Sequence, residues 1–422
     1  MMLRGGTLFY ALGIAVVLAL MSGGLLLTAH FERLRLLHDQ RSDAVIRNAA
    51  SGLQLLLGEQ SLVRYDAPTE IDLFDENRDS VKLTLRRWGV FEIALSEAHN
   101  RALSHRSAAL TGWQPQPGNN TALYMADLER PLAICGNTLL RGDCYLPTGG
   151  IKRTYVEGQN YLRDRDVYGL EKKAQRMLPE ANKALISRID SLLAGKSQST
   201  DSIVLPAELG DADSIRHSFF ATPVVVKSSG KLVLSNQHIS GNFCFYSPVA
   251  IRVESTAELH DVMLVAPYIE IADEVRGNFQ AFARDSLRTG KKTELTYPSV
   301  LGIITTKQSP PQTILLIGEE NKIAGLIFGI QTVPDFTRTL LISISTKTEI
   351  TGQVWSNDLL DLRGKVFGDV GCKLFRLKTN SAVYDNQLLD GEIDRSKRPD
   401  AIVLPALIQM AGEQKQVAQW LY

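Results

Sequence analysis

From Gly5 to Phe31 the chain carries no Asp, Glu, Lys or Arg, and Leu8–Leu27 is almost continuously apolar. About 20 such residues, at about 1.5 Å each, cross a hydrocarbon core of roughly 30 Å. The stretch therefore predicts a membrane-spanning helix and argues against a wholly soluble protein. Arg4 followed by Ser22-Gly23-Gly24 also fits a cleaved secretory signal. The apolar run is longer than a usual signal core, however, and helical spacing continues through Phe31, Leu34, Leu37, Val45, Ala49, Leu53 and Leu56. One helix is expected, half in lipid and half in water, ending at Gly58.

The rest of the 422 residues is of globular composition, 44% apolar and 22% charged, which predicts folded domains. Lys plus Arg equals Asp plus Glu at 46 each, so nothing drives general attraction to nucleic acid.

The N-terminus resembles type IV pilin-like proteins on the run Arg4-Gly5-Gly6-Thr7-Leu8-Phe9-Tyr10-Ala11, a short basic start and a glycine before a long apolar helix. The resemblance implies processing between Gly6 and Thr7 by a prepilin peptidase, and partners that are other pilin-like subunits alongside membrane lipid. Ala11 stands where most pilins carry glutamate. Certain minor pseudopilins of type II secretion and type IV pilus systems vary that residue. Arg47-Asn48-Ala49-Ala50-Ser51-Gly52-Leu53 is similar to the small-residue stretch that ends their long helix. Orientation is contested: Arg33, Arg35 and Arg41 after the span outnumber Arg4 before it, which favours a cytoplasmic body. The pilin-like reading implies a bacterial inner-membrane, single-pass protein with a periplasmic or extracellular body.

Beyond the helix, Val81–Leu85 and Val90–Leu95 alternate as half-buried strands, with a turn expected at Arg86-Arg87-Trp88-Gly89. Gly112–Asn120 has loop composition. Spacing predicts a helix across residues 165–195, interrupted at Pro179, and a linker follows at Gly195–Thr200. Internal similarity links Gly241-Asn242-Phe243, Asp261-Val262-Met263 and Gly277-Asn278-Phe279, and the pattern returns around Gly325, Gly352, Gly364 and Gly368, and earlier at Gly142. Short alternating strands separated by tight corners are how one coil of a parallel β-helix is written, and lone coils must stack to bury their inner face. Ordinary sandwich strands with glycine turns are the competing reading. The run Leu359–Val370 also resembles bactofilin-type β-solenoids. Asp394–Arg398 is of mixed charge and reads as a solvated loop.

The expected fold is mainly β: a transmembrane helix continuing as an amphipathic helix (1–58), a small α/β module (59–130), a first solenoid-like coil with a helical insertion (131–215), a right-handed parallel β-helix (216–380) and a C-terminal segment (381–422). Cys135 and Cys144 lie close enough in sequence for a disulfide, with separate buried thiols as the alternative; Cys244 and Cys372 read as core residues. Metal-ligand spacing and nucleotide-binding and nucleophile-elbow motifs are missing, so no cofactor is expected. Glu270, Asp273, Glu274 and Asp285 are outward carboxylates of the kind β-helix polysaccharide enzymes use, although such acids usually only solvate a surface. The function expected is that of a non-enzymatic structural or adhesive subunit of a pilus-like or type II secretion-like assembly. A membrane-tethered enzyme acting on surface polysaccharide and a cytoplasmic bactofilin-like scaffold are the alternatives.

Overall fold

The computed structural model describes residues 5–58, 63–73, 79–100, 103–115, 118–196, 202–206, 214–333, 337–408 and 414–421. Strands hold 51% of the described residues and helices 18%, which makes the protein mainly β. The chain divides into two compact units, Met1–Thr84 with Leu95–Ser107, and Leu85–Ala94 with Ala108–Tyr422.

The first unit is dominated by helix α1, Gly5–Gly58. Its 54 residues make a rod about 80 Å long at the usual rise. The predicted end at Gly58 matches. The helix is long and apolar enough to cross a membrane, with a mean hydropathy of 2.2 in its apolar part. Val45, Ala49, Leu53 and Leu56 recur at three-to-four spacing and are buried. They form the packed end of the helix, where Gly52 allows a close approach: a Cβ there would lie 2.6 Å from Ser96 Oγ and 2.8 Å from the side chains of Val81 and Leu83. Asn48 anchors the same turn by donating to Asp79 Oδ2 at 3.0 Å. Within this unit the strand Thr69–Ile71 pairs antiparallel with Val81–Leu83.

Ser80–Trp88, Phe91–Asn100 and Leu103–Gln114 each run from one unit into the other. The predicted turn falls later than Arg86, at Gly89 and Val90, with the strand continuing through Trp88. Gln280 bridges that turn, accepting from Val90 N at 2.9 Å and donating to Trp88 O at 3.1 Å.

The second unit is a body of mostly parallel strands closed round one apolar core. Its pairing resolves into three ladders. One joins Ser214–His217 and His238–Gly241 to the first residues of Glu258–Ile271, Arg276–Thr289, Glu294–Thr305, Lys322–Gln331, Glu349–Leu362 and Lys365–Lys378. A second starts at Ile203–Pro206 and runs through Val224–Lys227, Phe243–Tyr246 and the middles of the same long strands. The third starts at Leu232–Leu234 and uses their C-terminal ends, with Gln312–Ile317 and Thr339–Ile344. Along the third ladder Ile251, Ile269, Leu287, Leu315, Ile342, Leu360 and Phe375 are aligned one above another, and all are buried.

Glycine serves where ladders turn a corner. Gly325, Gly352 and Gly368 are register partners, and each has φ between +140° and +157°. A Cβ on Gly352 would sit 2.0 Å from Gly325 O, and one on Gly368 would sit 1.7 Å from Gly352 O. Only glycine tolerates both that backbone and that approach.

The order of the ladders departs from chain order at one end. Val370 pairs with Leu123, which pairs with Cys144, which pairs with Glu171, so residues 121–173 continue the stack beyond Lys365–Lys378. Glu392–Asp394 joins the same end, pairing with Lys365–Val366 on one side and Leu139–Arg141 on the other. The predicted helix over 165–195 is shorter, covering only Lys183–Leu193 (α2), because Glu171–Lys173 is recruited as a strand and Pro179 resists an earlier helical start. Asn182 caps α2, its Oδ1 accepting from Ala184 N and Leu185 N. Of the linker expected after it, Ser197–Thr200 lies outside the described residues.

Candidate functional site

The first candidate surface is α1. From Gly6 to Asp43 every side-chain position is exposed except the half-buried Gly23 and Ser42. Phe31, Leu34, Leu36 and Leu37 continue the apolar surface past the length a bilayer needs, with Phe31 still 65% exposed. Of the residues around the expected processing point, Gly6 and Thr7 lie in the first turn of the helix, whereas Arg4 lies outside the described residues.

The second is a groove of about 1070 Å³ beside α2, on the outer side of the second ladder. Ile186, Leu193, Ile330 and Trp355 supply its apolar wall, and Arg176, Lys307 and Lys373 stand among its polar ones. The second ladder is buried on this outer side as well, with Phe282, Phe328 and Trp355 in register with Gly302 and Gly371. The glycines make room for rings: a Cβ on Gly371 would lie 2.1 Å from the Trp355 indole.

The third is a charged corner along the first ladder. Glu258, Arg276, Glu294, Lys322, Glu349, Lys365 and Glu392 are successive register partners and alternate strictly in sign. Arg276–Glu294 at 3.6 Å, Lys365–Glu349 at 3.9 Å and Lys365–Glu392 at 3.8 Å are ion pairs within that row. Two residues upstream in each strand's approach lie Glu274, Lys292, Glu320 and Lys347, opposite in sign to their row neighbours and all in left-handed backbone. The result is a checkerboard in which every charge is flanked by opposite ones. Beneath it Asn321 is fully buried, accepting from Thr293 N at 2.7 Å and donating to Thr289 Oγ1 at 2.7 Å, which satisfies the corner's polar groups.

The four carboxylates expected to face outward do not assemble into a pair, and Asp285 is not outward but buried. Glu270 is exposed and bonded to Arg252 at 3.2 Å. Asp273 accepts from Lys291 N at 2.7 Å, Glu274 belongs to the checkerboard, and Asp285 is buried against Arg284 at 2.8 Å. A glycosidase-type mechanism needs two carboxyls across one bond, and these residues hold cations and corners instead. Among the described residues no group of three or more His, Cys, Asp or Glu converges to hold a metal ion.

The expected Cys135–Cys144 bridge is not formed. All four cysteines are free and buried. Cys135 lies in the strand Leu132–Cys135, with its sulfur receiving Gln387 Nε2 at 3.1 Å, whereas Cys144 points into the main core on the strand Asp143–Leu146. Burial pushes the Cys144 and Cys244 thiols up to about 12, so neither is a nucleophile at neutral pH. Nine residues of separation suggest a small loop, but the two thiols lie on strands of different sheets and face different clusters.

One polar centre leaves no trace in the sequence pattern. Asp369 accepts hydrogen bonds from Gln353 Nε2 at 2.6 Å and from Arg398 Nη1, a residue 29 positions away. Burial pushes the Asp369 carboxyl above its ordinary value, and Arg398 pulls it back. In the sequence Asp369 reads only as part of a corner, and Arg398 only as part of a solvated mixed-charge segment.

No family model, curated protein or solved structure matches this chain.

Proposed function

We propose that the protein is a membrane-anchored, non-enzymatic structural subunit that assembles through α1 and displays its parallel-strand body, wound as a right-handed β-helix, on the far side of the inner membrane. The observation that carries this reading is the division of α1. Its last three turns pack one face into the first unit, while the preceding 38 or so residues are exposed and longer than a bilayer needs, with Leu34, Leu36 and Leu37 still apolar after Phe31. Phe31, Leu34 and Leu37 share one face and lie outside the span, so lipid does not cover them. Similar helices from neighbouring subunits do, and Gly13, Ala15, Ala19, Gly23 and Gly24 let helices approach within the membrane. The pilin-like start supports the same picture.

Arg33, Arg35 and Arg41 favour a second reading, a cytoplasmic scaffold of the bactofilin kind held at the membrane. N-terminal sequencing of protein taken from its own membrane, with protease added from outside, separates the two. The proposal expects a sequence starting at Thr7 and a body open to the protease. An intact Met1 with a protected body would replace it by the scaffold, and a start beyond Ser22 would remove the anchor altogether.

A further inference from the structure

Past the membrane span, α1 keeps a face that is apolar but for histidine and arginine. Phe31, Leu34, His38, Arg41, Val45 and Ala49 follow one another at spacings of three or four and so share that face, with His30 and Leu37 alongside. His30 and His38 stand one on either side of Leu34, and both imidazoles are exposed. Phe31 meets His30 edge-on, with ring centroids 6.1 Å apart. The side chains of a helix that reach a given residue lie three or four positions from it. For His30 these are Leu26, Leu27, Arg33 and Leu34, and for His38 they are Leu34, Arg35, Arg41 and Ser42. Arginine recurs among them, and no acid is present. The carboxylates of this stretch, Glu32, Asp39 and Asp43, recur at spacings of seven and four on another face. Asp39 follows His38 directly but projects more than a quarter-turn round the helix.

Every copy of the chain threads the same bilayer, so same-numbered residues of neighbouring helices stand at one height, with His38 roughly 15 Å beyond Thr28. When the apolar faces of two copies meet, each histidine therefore faces the neighbour's histidines and arginines as well as its own. Of the two, only His30 stands near the level of lipid phosphates. A neutral imidazole can be covered in such a seam, whereas a protonated one loses its water and adds to a cluster that is already cationic. Histidine is the side chain that ordinarily makes this change between about pH 8 and pH 5. We propose, resting on the assembly through α1 set out above, that His30 and His38 form an acid-operated release. Helices of neighbouring copies pack along Phe31–Arg41 while the imidazoles are neutral and separate once they are protonated.

Energy transfer between copies of the full chain in phosphatidylcholine vesicles tests it, since that lipid gives no surface potential that changes with pH. One population carries a donor and the other an acceptor dye at Leu36→Cys, both of pH-independent emission. Leu36 shares the carboxylate face, so the dye stays clear of the seam, and the native thiols are buried and take no label. Transfer should fall at least about threefold between about pH 8 and about pH 5.5, and recover on return. With His30→Gln and His38→Gln together it should stay high at both, and with His38→Lys it should be low at both. Transfer that stays high or rises on acidification, an equal fall in the double variant, or high transfer in His38→Lys overturns the release and leaves assembly through α1 standing. Transfer at background at every pH, in the labelled chain and the double variant alike, removes the assembly and the release with it.

Discussion

At the scale of single residues, strand alternation makes neighbouring side chains opposites. Ile269 is 2% exposed in an aligned inward row, and Glu270 beside it is exposed on the outer surface. Truncating Ile269 to Ala should cost about 2–4 kcal/mol, as lost burial plus a cavity, whereas Glu270→Ala should cost roughly 0.5 kcal/mol or less. Chemical denaturation of both variants checks the contrast; equal losses would mean the register is wrong. Buried acids give a pH signature of opposite sign to the usual one. Asp358 is 8% exposed and accepts from Leu340 N at 2.8 Å, yet burial raises its carboxyl above the ordinary 3.8. A raised acid favours folding while protonated, and that contribution fades as pH rises from below 3.8 through the folded-state value. Asp358→Asn copies the protonated form and keeps an acceptor for Leu340. It should therefore be more stable than wild type at pH 7 and lose that advantage below pH 3.8, which melting curves across pH would reveal. The cysteines offer a third check. Denatured without reductant, the protein should show four free thiols by quantitative labelling; two would restore the Cys135–Cys144 bridge.

At the scale of elements, the checkerboard corner fixes which strand lies on which. Isolated surface pairs contribute little, but a one-strand slip here would set like charge on like along the whole row. Lys322→Glu places an acid between Glu294 and Glu349. It should destabilise by about 1 kcal/mol at low salt and by much less at about 1 M, where charges are screened within roughly 3 Å. A penalty unchanged by salt would show that Lys322 acts through packing instead. Much of this element structure is legible in the residues: the apolar run and its spacing mark α1 to Gly58, and glycine before an apolar alternation marks the corners at Gly325, Gly352 and Gly368. The start of the predicted helix near residue 165 misleads because Leu170 and Ala174 keep helical spacing by chance. Their backbone is instead drawn into pairing with Asp143–Leu146, a preference set by a neighbouring strand and invisible locally.

For the whole molecule, contacts between distant segments are beyond the reach of local pattern. Nothing in Thr121–Met125 announces that it lies on Val370–Cys372, or that Leu139–Arg141 lies on Glu392–Asp394. Alternation reveals which face of a strand is inward but not its neighbour, and so neither the stack's continuation through residues 121–173 nor the Asp369–Arg398 centre is readable from the chain alone. The carboxylates look promising for the same reason: outward direction is readable, convergence is not. The proposed function needs a body for display and a helix that assembles, and the helix is long and apolar enough to cross a bilayer and continues beyond that length. The most direct test of that claim is a cysteine scan along α1 in native membranes, at Gly13, Ala19, Leu34 and Leu37, with oxidative crosslinking. The native thiols are buried and do not interfere. Assembly through α1 predicts crosslinked adducts at positions sharing one helical face, inside the span and beyond it at Leu34 and Leu37. Monomer alone at every position would contradict it.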